Sequence, residues 1–201
     1  MSQRDPRFRQ VRDQLARECA RVMVEGGIKD YQLAKRKVAA RLGRLPRGQL
    51  PGNAEIEAAI EEHQRLFKAG QPHRLLALRQ VALQVMNLVA SFSPRLVGTV
   101  LRGTADDHSD VVLHVVSEPV ESVGTFLDDR RIRYRMGERR LRIGLDKYRR
   151  FPMYQFTQDG ILIELVVFDR NGARQSPLCP VDGKPIARAA LAEVEAMAIE
   201  R

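Results

Sequence analysis

The hydrophobic period of this chain changes at Pro94, and that change limits the folds open to it. Before Pro94 apolar residues recur at helical spacing; after it they alternate as in strands. Phe8, Val11, Leu15, Cys19, Val22 and Met23 mark a helix over 7–25, ended by Gly26-Gly27. Asp30 is placed to cap a second helix, 31–43, which Gly43 stops. After a loop, LPRGQLPGN, Asn53 caps a third helix to about Ala69, with Gly70 as its end. A fourth, more apolar helix is expected over 73–92.

Beyond Pro94 the pattern predicts strands near 96–101 and 110–116, then a helix from Val120 to about Asp129. Strands near 131–136 and 139–144 read as a hairpin across Met136-Gly137-Glu138. Strands near 152–158 and 161–168 turn at Asp159-Gly160. The stretch from Gly172 to Pro185 reads as loop, and a short helix over 188–199 closes the chain. The fold class expected is α+β: a helical N-terminal segment (1–72), a small mixed-sheet domain (73–171), and a loop with a C-terminal helix (172–201).

Composition narrows the partners. No apolar run approaches the roughly 20 residues of a membrane span, so no membrane association is expected. The first residues, MSQRDPRFRQ, are polar and include an acid, unlike a signal or transit peptide. Cys19 and Cys179 form no zinc or redox motif, so a cytoplasmic location is the simplest expectation. Lys and Arg number 34 against 25 Asp and Glu, a net charge of +9. That balance suits a polyanion partner, or simply a basic surface. With four Tyr, seven Phe and no Trp, a base-stacking platform is disfavoured. Lys35, Arg36, Lys37, Arg41, Arg44 and Arg47 add charge around 31–47, and a helix-turn-helix over 13–43 is only weakly patterned. DNA is therefore a less favoured partner than RNA or a nucleoside triphosphate.

Residues 95–115 carry the chemistry. An apolar run ends in Gly98-Thr99, Gly103 follows, and Ser109-Asp110 opens a second apolar run. A glycine and a hydroxyl residue after a strand let backbone N–H groups approach phosphate closely. A carboxylate heading the next strand can hold the accompanying Mg²⁺. Along 110–116, Val111, Leu113 and Val115 share the core face; Asp110, Val112 and His114 share the other. Glu164 is a lone carboxylate in the apolar strand 161–168. Its charge needs a metal, an arginine partner or a solvated face.

In these residues the chain resembles the nucleotidyltransferase superfamily, the polymerase-β-like fold, over about 73–170. Val97-Gly98-Thr99 matches the start of its signature, and Gly103 matches a second glycine common in small members. Ser109-Asp110-Val111 matches the run before the second carboxylate, and Glu164 suits the third carboxylate. The resemblance implies nucleotide contacts at Gly98, Thr99, Gly103 and Ser109. It implies catalytic and metal roles for Asp110 and Glu164, with Mg²⁺ as cofactor.

The second carboxylate position is Val112, which cannot ligate a metal. His114, His108, Asp106 and Asp107 are the nearby substitutes; ligation by His114 would favour Mn²⁺ or Zn²⁺ over Mg²⁺. The expectation is a nucleotidyltransferase-like pseudoenzyme that binds a nucleotide or an RNA phosphate backbone, with Mg-dependent transfer weak or lost. The alternative is a non-enzymatic nucleic-acid-binding or protein-interaction module. For polyanion binding, Arg131, Arg133 and Arg135 are expected on one strand face, and Arg140 and Arg142 on the partner strand. The rival account is a solvated outer face that also blunts sheet association.

Overall fold

The computed structural model describes residues 6–42, 49–67, 71–106, 108–174 and 176–199. Gly43, Arg44, Arg47, Ala69, Gly70 and Asp107, named above, lie outside them. The chain is mixed α+β, helices first, with one five-stranded mixed sheet. It divides into two compact units: residues 1–71 with 180–182, and residues 72–179 with 183–201. The C-terminal helix thus belongs to the sheet unit rather than to a separate tail.

The first unit holds α1 (Pro6–Gly26), α2 (Tyr31–Leu42) and α3 (Asn53–Phe67). Their apolar stripes meet in a core that includes Leu15, Cys19, Met23, Ala34, Val38, Ile56 and Ile60. Burial among them pushes the Cys19 thiol up to about 11, so it packs as a small apolar group. The Asp30 carboxylate accepts the Gln32 and Leu33 backbone N–H groups at 2.7 and 3.2 Å, capping α2. Asp30→Ala should therefore cost about 1 kcal/mol, read by urea unfolding of the intact chain. Asn53 is not the cap of α3. Helical backbone begins at Asn53 itself, and Glu55 reaches back to the Gly52 N–H. The Asn53 side chain instead accepts from Lys35 Nζ at 2.7 Å.

The second unit opens with α4 (Gln71–Leu88) and a short 3₁₀ turn, Ala90–Phe92. Then follow β1 (Arg95–Val97), α5 (Gly98–Arg102), β2 (Val111–Val116) and α6 (Ser122–Asp129). β3 (Arg135–Gly144), β4 (Lys147–Gln158), β5 (Ile161–Phe168), α7 (Arg170–Arg174) and α8 (Leu191–Ile199) complete it. The sheet order is β1-β2-β5-β4-β3, with β2 and β5 parallel and the other neighbours antiparallel. Val111, Leu113 and Val115 with Ile161, Ile163, Leu165 and Val167 join Leu78 and Val85 of α4, and Val89 just after it, in the main core. The opposite face is also covered: Phe151, Met153, Val166 and Phe168 form a second, smaller core, with Val112 and Leu141 packed against it.

Two strand expectations need correction. The strand expected over 96–101 ends at Val97, because Gly98 takes a φ of +80° and turns the chain into α5. The expected hairpin at Met136-Gly137-Glu138 does not exist. β3 runs straight through those residues and turns at Leu145-Asp146 into β4, which starts five residues earlier than expected. Arg131 and Arg133 consequently precede β3, and Arg131 has a φ of +58°.

Candidate functional site

The parallel pairing of β2 and β5 sets Val112 directly beside Glu164. Asp110 precedes β2, so Glu164 stands level with Val112 and not with Asp110. The direct cross-strand neighbour of Glu164 is a valine, and Asp110, expected to face Glu164, lies two residues ahead of that valine. Val112 is half-buried against the smaller core rather than standing at the mouth of an open cleft.

Glu164 is 5% exposed. One carboxylate oxygen accepts from the Arg139 guanidinium, and the other accepts from Gln155 Nε2 at 2.8 Å. A buried charge needs such partners, and here an arginine and an amide supply them. Mg²⁺ takes several oxygen ligands. Val112 offers none, and both Glu164 oxygens are engaged. Among the described residues no three His, Cys, Asp or Glu side chains gather as metal ligands.

His114 shares the Glu164 face, opposite Arg95 on β1. It is 4% exposed, its Nδ1 has no hydrogen-bond partner, and its ring lies 4.7 Å from that of Phe168. Burial, reinforced by the Arg188 and Arg139 cations, lowers its pKa to about 3. It is a packed, neutral ring.

The expected nucleotide contacts do different local work. Gly98 has open space where a Cβ would sit, so its positive φ is what demands glycine. Gly103, at a φ of +86°, caps α5, and its N–H donates to the Thr99 carbonyl at 2.9 Å. The Ser109 hydroxyl donates to Asp106 Oδ1 at 2.9 Å and accepts from the Asp106 N–H, bracing its own loop. Gly98 and Thr99 are therefore the expected contacts left least committed.

The arginines form a different surface from the one expected. Between Arg130 and Arg150 lie nine arginines and one lysine against two acids, so this stretch carries +8 of the chain's +9. β4 pairs with β5 only from Met153 onward, so residues 147–152 pair with β3 alone as a two-stranded ribbon. Strand alternation puts Arg135 and Arg139 on the Glu164 face, and Arg140, Arg142, Tyr148 and Arg150 on the other. On the Glu164 face, Arg139 pairs with Glu164, and Arg149 with Asp169 at 2.7 Å. On the outer face Arg140 stands directly opposite Arg150, a repulsive cross-strand pair. Arg150 reaches Glu138 at 3.1 Å, and Arg140 stacks over the Tyr148 ring at 4.1 Å. Arg139, Gln155 and Tyr148 escaped the sequence reading. The lone Glu164 signalled that a cation was needed, but only the register of β3 identifies which.

No helix among the described residues is long and apolar enough to cross a membrane. No family model matches the chain, and no curated protein matches it.

Proposed function

We propose that this protein binds the phosphate backbone of RNA, or nucleotide phosphates, on a nucleotidyltransferase-like sheet that has lost metal-dependent transfer. The observation that carries the reading is the β3–β4 ribbon, which over residues 135–152 holds six arginines and one lysine against two acids and sets Arg140 against Arg150 on an exposed face. Like charges directly opposite destabilise a sheet, and a polyanion lying over them removes that cost. Loss of transfer is supported by Val112 beside Glu164 and by the hold of Arg139 and Gln155 on that carboxylate. A free nucleotide would meet the Gly98-Thr99 turn.

The test is the salt dependence of binding to single-stranded RNA. Neutralising phosphates releases counterions, so affinity should fall steeply with salt. Replacing Arg140, Arg142 and Arg150 together with alanine should flatten the log–log slope by about 2, at roughly 0.7 per phosphate contact on a single strand. An unchanged slope would mean that these cations only face solvent.

A further inference from the structure

The tip of the ribbon carries an exposed apolar side chain. Leu145, in the two-residue turn between Gly144 and Lys147, is 82% exposed. No other large apolar side chain among the described residues is as exposed. Ile143, 36% exposed, lies beside it at the irregularity in the β3–β4 register. Single exposed leucines are ordinary on protein surfaces. This one stands at the end of a strand pair whose arms carry Arg140, Arg142, Lys147 and Arg150, with Asp146 beside it in the turn.

We infer that the ribbon binds double-stranded nucleic acid, with Leu145 as an apolar wedge that enters between base steps from the minor groove. The inference rests on the phosphate-binding reading and narrows its ligand. Minor-groove proteins combine Arg and Lys contacts with inserted Leu, Ile or Phe side chains, which partly unstack a step and kink the duplex. The ribbon has both parts in the required order, cations along its length and an apolar point at its end.

A single strand suits the ribbon less well. Strand binders that ignore sequence stack bases on exposed aromatic rings. Tyr148, at 52%, is the one exposed Phe or Tyr ring among the described residues, and Arg140 stacks on it. An anionic membrane suits it less well too. Leu145 and Ile143 offer little apolar area for insertion, and the cations run back along the strands instead of gathering in one plane at the tip.

The test compares wild type with Leu145→Ser by fluorescence anisotropy on a short DNA duplex, the matching RNA duplex, single-stranded RNA, heparin and anionic phosphatidylserine vesicles. Energy transfer between labelled duplex ends reads bending. Wild type should bind a duplex at least about tenfold more tightly than the single strand and shorten its end-to-end distance. Leu145→Ser keeps every charge, so its heparin affinity and salt slope should match wild type. Its duplex affinity should fall about tenfold, and the shortening should vanish. A matching thermal midpoint confirms that the variant is folded. The DNA and RNA duplexes distinguish a B-form from a wide, shallow A-form minor groove.

The wedge is overturned if Leu145→Ser binds and bends the duplex like wild type, or if single-stranded RNA binds as tightly as the duplex. Leu145-dependent capture by the vesicles without duplex binding would also overturn it. Salt-sensitive heparin and single-strand binding with no duplex preference would remove the wedge and leave the phosphate-binding reading standing. Failure to bind any polyanion at low salt would remove both.

Discussion

Val112→Asp should destabilise the protein by about 3 kcal/mol, and Mg²⁺ should not restore the loss. The new carboxylate would sit in register beside Glu164, which is already buried and engaged by Arg139 and Gln155. It would also replace an apolar side chain packed against Phe151, Met153, Val166 and Phe168. Repulsion between neighbouring carboxylates and loss of packing therefore act together. Chemical denaturation of wild type and variant, with and without Mg²⁺, measures the effect. Restoration by Mg²⁺ would show that this sheet face still assembles a metal site, and loss of transfer would then be the wrong reading.

Acidification should expose the second large effect, at His114. In the folded chain its pKa is about 3, against an ordinary value of 6.5, because burial and two nearby arginines disfavour the charged ring. Between those values the unfolded chain binds the proton and the folded chain does not. The stabilisation is thus fully present above 6.5 and is lost as pH falls toward 3. From pH 6.5 to about 4.5 wild type should lose about 2 kcal/mol through this group alone. His114→Leu should be nearly flat over the same interval. Arg12 and the Gly52 N–H hold Glu55 below its usual carboxylate range, as Arg149 and the Gly172 N–H hold Asp169. Those groups contribute their acid sensitivity lower down, so the upper interval isolates the histidine. Equal slopes for the two proteins, from urea midpoints across that interval, would mean that the ring takes up its proton without disturbing the fold.

The two predictions concern the same sheet face, and that face shows where sequence reasoning stopped. Alternation correctly separated Val111, Leu113 and Val115 from Val112 and His114, and Ile163 and Leu165 from Glu164 and Val166. It could not say that the second face is covered as well. In β5 both faces are apolar apart from Glu164, so the alternation carries no contrast that would mark one as solvated.

The ribbon failed for a related reason. Between Arg130 and Arg150 apolar residues are sparse, and two turn signals compete: Met136-Gly137-Glu138 and Gly144-Leu145-Asp146. Local preference allows either. Pairing with β4 selects the second, which makes β3 one long strand and reassigns the face of its arginines.

The sequence by itself determined the period change at Pro94, the placement of the long helices before the sheet, the Asp30 cap, and the concentration of charge in residues 130–150. Each follows from interactions within a few residues along the chain: side-chain periodicity, a carboxylate beside free N–H groups, simple counting of charge. Tertiary structure alone decided that Glu164 stands beside Val112, that Arg139 is its ion-pair partner, and that Leu145 crowns a cationic ribbon. Those facts depend on strand register and on which strand lies next to which. Both are set by packing between residues distant in sequence, and a shift of one residue would exchange every face.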